Sequence, residues 1–154
     1  MSLETQRNER GLPSGSFRFE MPVRWGDLDA QNHVNNTVYF RYMEEARVHC
    51  TRACGIGWPN AKREIVLAHV SCDFLRPVLW PAVILVDMRL HRVGRSSVEF
   101  EVEMSVKGAD DGPCARARTI IVGTDPATNR SLPWTRDELQ GIEKVFGASQ
   151  TWPA

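Results

Sequence analysis

Four stretches of alternating residues fill the middle of the chain and constrain its fold more than anything else in it. Val66, Ala68, Val70, Cys72 and Phe74 oppose Leu67, His69, Ser71 and Asp73, and Ala82, Ile84, Val86, Met88 and Leu90 oppose Val83, Leu85, Asp87 and Arg89. Both stretches carry apolar weight on each face. In the third, Val98, Phe100, Val102, Met104 and Val106 alternate with Ser97, Glu99, Glu101, Glu103 and Ser105; a fourth runs from about Cys114 to Val122. Period two places successive side chains on opposite faces of a strand. The breaks between stretches carry no helical pattern, so the order predicts a run of antiparallel strands with no βαβ alternation, the third and fourth forming a hairpin. A turn centred near Ala109 and Asp110 sets Glu103 opposite Arg116 and Glu101 opposite Arg118, one register that satisfies two opposite-charge pairs.

Upstream, Phe17, Phe19, Met21, Val23 and Trp25 alternate with Arg18, Glu20, Pro22 and Arg24, a fifth strand whose Pro22 marks an edge or bulge. Val38, Tyr39, Tyr42, Met43, Ala46, Cys50 and Ala53 then recur at helical spacing, which predicts a helix over 36–54. Asn35 or Asn36 caps its start, Arg41 and Glu45 sit at i,i+4, and Gly55 ends it in the left-handed conformation. Near the C-terminus, Thr135 to Glu138 has the form of a capping box, with Trp134 placed to staple onto Leu139 ahead of Ile142 and Phe146. The layout is α+β: an antiparallel sheet of about five strands wrapped around one long helix, with a short C-terminal helix. Residues 1–16 read as a mobile tail, 17–146 as a single domain and 147–154 as a frayed C-terminal tail.

A chain of 154 residues, 42% hydrophobic and 25% charged, suits one ordinary soluble domain. Nineteen basic residues balance nineteen acidic ones, so no global field draws it to nucleic acid or an anionic membrane. No apolar run spans a bilayer and no signal-peptide core is present, which predicts a cytoplasmic protein. Cys50, Cys54, Cys72 and Cys114 form no CxxC pair and read as reduced thiols. One helix covers only part of a five-stranded sheet, so homodimerisation is the simplest way to bury what is left.

The stretch from Arg24 to Asn36 holds Asp27, Asp29, Gln31, Asn32, His33, Asn35 and Asn36 between the first strand and the long helix. Asp27 and Asp29 are also common turn and pre-helix residues, and the asparagines common caps. The string Asp27-Leu28-Asp29 followed by His33-Val34-Asn35-Asn36 and Tyr39, at a strand-to-helix junction, resembles the acyl-CoA thioesterases of the hotdog fold. It is most similar to their 4-hydroxybenzoyl-CoA thioesterase-like branch, and its D-L-D-x-x-x-H-V-N-N form also resembles plant acyl-carrier-protein thioesterases. The loops Phe74-Leu75-Arg76-Pro77-Val78 and Val93-Gly94-Arg95-Ser96-Ser97 extend the likeness, which covers roughly residues 17 to 125 in element order.

The resemblance implies a homodimeric or homotetrameric hydrolase of a small-molecule acyl-CoA. It implies no metal or other cofactor, coenzyme A being part of the substrate. Asp29 matches the family's catalytic acid and Asn36 the helix-start position facing the substrate carbonyl. Elementary chemistry asks for the same parts: a carboxylate to activate water or attack the carbonyl carbon, and a donor for the charge on the oxygen. A helix N-terminus supplies such a donor as an unpaired N–H. His33 matches a histidine given a catalytic role in the plant branch, but Gln31 stands where the bacterial branch has asparagine; His33 is an accessory orienting Asp29 or a water, or a residue that ties down the loop. Arg76, Pro77, Gly94, Arg95, Ser96 and Ser97 match loops that hold the coenzyme A portion. Trp25 and Tyr39 are candidate substrate contacts or core aromatics.

Other readings are weaker. Cys50 and Cys54 share a helix face with His49 nearby, yet packed thiols are commoner than zinc ligands. Glu99, Glu101 and Glu103 form a row of charge pairs rather than a carboxylate centre. G-x-S-x-G and P-loop motifs are missing. Two alternatives stay open: an acyl-carrier-protein thioesterase, and a hotdog domain that binds acyl-CoA without cleaving it.

Overall fold

The computed structural model describes residues 6–59, 62–147 and, as backbone alone, 150–152. In chain order the elements are β1 (Ser16–Pro22), a 3-10 turn (Trp25–Asp27), α1 (Asn36–Cys54), β2 (Glu64–Phe74), β3 (Val83–Val93), β4 (Ser97–Val106), β5 (Ala115–Thr124), α2 (Arg136–Phe146) and β6 (Gln150–Trp152). Five antiparallel strands run β2-β5-β4-β3-β1, and β6 adds a short parallel strand beside β1. The sheet wraps α1, which is the hotdog layout that the resemblance implied.

The helix begins and ends for the expected reasons. The Asn35 side chain accepts the Thr37 N–H, and Gly55 closes the last turn at φ 72°. Tyr39, Tyr42, Met43, Ala46, Cys50 and Cys54 are buried against Phe17, Phe19, Val86, Met88 and Phe100. Arg41 pairs with Glu45 at 3.6 Å. The β4–β5 register sets Glu101 opposite Arg118 and Glu103 opposite Arg116. One of the two expected pairs forms, Arg116 to Glu103 at 3.4 Å, while Arg118 turns diagonally to Glu99 and Glu101 takes His91 at 2.6 Å. The third strand across supplies a partner that a two-strand picture leaves out.

Two details differ from the sequence expectations, and a third fills in what they left open. Residues 150–152, expected to fray, pair with Phe17, Arg18 and Phe19. Trp134 does not staple onto Leu139; it is buried beneath the Arg63 guanidinium, 4.7 Å from its ring centre, and Leu139 stays 41% exposed. The capping box itself forms, Thr135 and Glu138 each accepting the other's backbone N–H. Finally, β2 carries Val66 and Leu67 in the open because it is the sheet's edge, with a bulge between Leu67 and His69. Among the described residues no helix is long and apolar enough to cross a membrane.

Candidate active site

At one end of the sheet the chain leaves β1, makes the 3-10 turn and forms a narrow loop before α1. Leu28 and Val34 pair across it, the Asp29 N–H donates to the His33 carbonyl at 2.8 Å, and Asn32 turns the tip at φ 60°. The left-handed region suits asparagine better than most side chains. Asp29 completes the turn with its own carboxylate: Oδ1 accepts the Gln31 N–H at 2.9 Å and the His33 N–H at 3.4 Å. Oδ2 has no recorded partner among the described residues. One oxygen thus fixes the group and leaves the other open.

The helix start supplies the complementary feature. The Asn35 N–H donates to the Asp27 carbonyl, the Thr37 N–H to the Asn35 side chain and the Val38 N–H to the Asn35 carbonyl. The Asn36 N–H has no recorded acceptor among the described residues. It lies at the positive end of a 19-residue helix. Asp29, His33, Val34, Asn36, Tyr39, Phe74, Leu75, Arg76 and Pro77 line a single open cavity of about 260 Å³. Asp29 and Asn36 thus line one cavity, and each keeps a polar group, a carboxylate oxygen and a helix-start amide, without a partner among the described residues.

Tyr39 is 3% exposed, and its hydroxyl points to the Arg76 carbonyl at 3.5 Å. Burial pushes its phenol up to about 12, so it stays protonated as a donor. Its ring meets Phe74 edge-on at 5.1 Å, and Phe40 meets Phe74 in the same way at 6.3 Å. The Leu75 and Arg76 N–H groups both donate to the Cys114 carbonyl, which fixes the far wall of the cavity. The Arg76 guanidinium is 3.7 Å from Asp111 and half exposed.

Six of the eleven sequence candidates, Asp29, His33, Asn36, Tyr39, Arg76 and Pro77, line this cavity, together with Val34, Phe74 and Leu75, which were not among them. Phe74 and Leu75 were legible as part of the 74–78 loop, but strand alternation with apolar residues on both faces gave Phe74 no face; it is 46% exposed at the end of the edge strand. His33 contributes main-chain bonds to the loop, and no hydrogen bond to its imidazole is recorded among the described residues. Trp25 is neither core nor cavity wall: it is 73% exposed on the 3-10 turn.

Gly94, Arg95, Ser96 and Ser97 lie at the opposite end of the sheet. Strand pairing puts Ser97 opposite Val122, close to the Glu64–Thr124 pair, whereas the cavity adjoins the Phe74–Ala115 end. Within one chain this loop is not part of the cavity. Its carbonyls are taken up locally: Arg95 accepts the Trp134 N–H, Ser96 the Gly123 N–H, and Ser97 both the Gly94 N–H and the Trp134 indole. A larger cleft of about 580 Å³ lies between α1 and β2, bordered by Val48, Trp58, Val66 and Leu67 together with Glu44, Arg47 and Arg63. Among the described residues no three His, Cys, Asp or Glu side chains converge as metal ligands.

The family model of the thioesterase-like superfamily matches residues 23–142. The solved PA2801 protein of Pseudomonas aeruginosa, described as a candidate thioesterase, is 34% identical, superposes with a TM-score of 0.75 and is matched over 81% of this chain and 96% of its own. A thioesterase from Thermus thermophilus solved with coenzyme A and zinc is 28% identical, with a TM-score of 0.72 over 84% of this chain and 93% of that one. The protein YsmA of Bacillus subtilis, of uncharacterised function, is 26% identical over 129 residues, 84% of this chain and 86% of its own.

Proposed function

Because the chain belongs to the thioesterase-like superfamily, we propose that it hydrolyses an acyl-CoA to the free acid and coenzyme A at the Asp29–Asn36 cavity. The activity of the family is thioester hydrolysis; the residues and the substrate are our reading. The observation that carries it is that two residues lining one cavity each keep, among the described residues, an unpartnered group of opposite character, the Asp29 Oδ2 and the Asn36 N–H.

A thioester carbonyl seated between them has its oxygen at the Asn36 N–H and its carbon towards Asp29. Asp29 as a base takes a proton from water, and the resulting hydroxide attacks the carbon. The electron pair moves onto oxygen, where the helix N-terminus stabilises it. Collapse breaks the C–S bond, and the proton leaves with the thiolate as coenzyme A thiol. Asp29 as a nucleophile instead forms a mixed anhydride that water then opens. A single turnover in ¹⁸O-water that leaves label in Asp29 identifies the anhydride route, with water opening the anhydride at the Asp29 carbonyl carbon. Neither route requires a cofactor beyond the coenzyme A carried by the substrate.

Tyr39 and Phe74 form the apolar side of the site, with Phe40 packed behind Phe74, and Arg76 is the cation suited to coenzyme A phosphates. His33 remains an accessory that can orient a water. The open edge of β2 and the exposed Val48, Val66 and Leu67 support a homodimer or homotetramer, in which the exposed Arg95 would serve a neighbouring subunit's site. Four free cysteines favour the cytoplasm, a reducing compartment. A thiol-release assay over acetyl-, octanoyl- and benzoyl-CoA, with Asp29→Asn as control, tests the reading. Turnover of at least one thioester that Asp29→Asn abolishes is expected; binding without thiol release across the panel would instead favour a non-catalytic acyl-CoA binder.

A further inference from the structure

The loop bearing Asp29 and the helix bearing Asn36 are tied together by Asp27, a residue outside the cavity. Its carboxylate Oδ2 accepts the Tyr42 hydroxyl at 2.7 Å and the Arg24 N–H at 2.9 Å. Its backbone carbonyl accepts the N–H of the helix cap, Asn35, at 2.9 Å. Tyr42 is 2% exposed and sits well inside α1, so its hydroxyl is a fixed point in the core rather than a mobile surface group. A buried hydroxyl needs a partner, and Asp27 is the one recorded for it. Two residues on from Asp27 stands Asp29, and one residue on from Asn35 stands Asn36.

We propose that Asp27 is a positioning residue, whose bonds to Tyr42 and Asn35 set the spacing between the Asp29 carboxylate and the Asn36 amide. The proposal rests on the reading of those two groups given above. Rate in such a site depends on sub-ångström placement of groups that are not altered themselves. Releasing the tie leaves every cavity-lining side chain chemically unaltered but lets the loop, and Asp29 with it, drift relative to the helix. Substrate is still bound, and turnover falls.

The test compares Tyr42→Phe, Asp27→Asn, Asp27→Ala and the double variant Tyr42→Phe/Asp27→Ala with wild type and Asp29→Asn, using octanoyl- and benzoyl-CoA. The expected result is a fall in kcat of about tenfold for Tyr42→Phe and more for Asp27→Ala, with KM within twofold. Asp27→Asn, which keeps an acceptor oxygen, retains more turnover than Asp27→Ala, and the double variant is no worse than Asp27→Ala alone. Amide exchange of Asp29 and Asn35 quickens about tenfold in Tyr42→Phe while that of Cys50 holds, a readout that needs no turnover. Wild-type kcat in Tyr42→Phe, unchanged exchange at both amides, or additive losses in the double variant would overturn the proposal. Should Asp29→Asn keep full activity, the reading of the site itself fails; should it lose activity while Tyr42→Phe does not, the positioning role alone fails.

Discussion

Both ends of the sheet carry a short polar loop near the start of a helix: residues 29–36 before α1 at one end, and residues 94–97 beside the segment that leads into α2 at the other. At the second end the polar groups are consumed by the structure. Carbonyls 95–97 each hold a donor, and Arg63, 3% exposed, spends its guanidinium on the Leu132 and Pro133 carbonyls, on Glu138 at 2.5 Å and on the face of Trp134. Gly123 is the residue that lets these groups approach, since a Cβ there would stand within 2.9 Å of the Trp134 ring. At the first end Asp29 and Asn36 line a cavity and keep, among the described residues, a carboxylate oxygen and a helix-start amide without a partner. The contrast teaches that a polar loop announces neither role by its composition. What separates a site from a clasp is which hydrogen-bonding capacity is left over once the fold is complete.

Mirror substitutions should break the two ends in opposite ways. Asp29→Asn is expected to cut kcat by roughly 10²–10⁴-fold, the range for loss of a positioned acid or base, with thermal stability near wild type. Arg63→Ala should do the reverse: a loss of about 3–5 kcal/mol, the usual cost of stranding one partner of a buried pair, with turnover per folded molecule unchanged. Chemical denaturation alongside thiol release reads both. If the effects were exchanged, the division of the molecule would be wrong.

Phe74→Ala sharpens the description of the first end. Removing the ring that Tyr39 and Phe40 lean on should cost about tenfold in kcat/KM, near 1.4 kcal/mol, mostly through KM. Arg76→Ala should raise KM for coenzyme A thioesters a few-fold and flatten the dependence of KM on salt, as removal of a phosphate contact would. An unchanged salt dependence would detach Arg76 from the substrate.

The smallest effect lies between the ends, on the outer face of the sheet. His91, by its hydrogen bond first and its charge after, holds the Glu101 carboxyl below its ordinary 4.5. A depressed carboxylate contributes stability above that value and loses it as pH falls through the folded-state pKa. Wild type should therefore lose slightly more stability than Glu101→Gln on acidification below about pH 4.5. The difference should stay under ~1 kcal/mol, because Glu101 is half exposed. Unfolding curves of the two proteins across that interval decide it.

Much of this was legible in the sequence because it depends on neighbours in the chain. Asn35 and Gly55 bound α1 through local backbone geometry, and the β4–β5 register followed from charges facing each other across one turn. The D-L-D and H-V-N-N string placed Asp29 and Asn36 beside each other through a loop only a few residues long. What was not legible depends on distance. The end of the sheet at which 94–97 falls is set by the order of all the strands. Phe74 opens to the cavity because β2 is an edge, which alternation within one strand does not encode. Trp134 has a guanidinium 71 positions earlier in the chain as its partner instead of Leu139. The Tyr42–Asp27 bond joins a core position of the helix to a turn that, read alone, is only a common place for aspartate.

The most direct test of the account is the position of the substrate carbonyl. A crystal structure with an unreactive acyl-CoA analogue, CH₂ replacing the thioester sulfur, locates that oxygen. The account predicts it at about 2.8–3.2 Å from the Asn36 nitrogen, with the Asp29 carboxylate beside the carbonyl carbon. A carbonyl seated in the α1–β2 cleft or at residues 94–97 of the same chain, away from both groups, would contradict it.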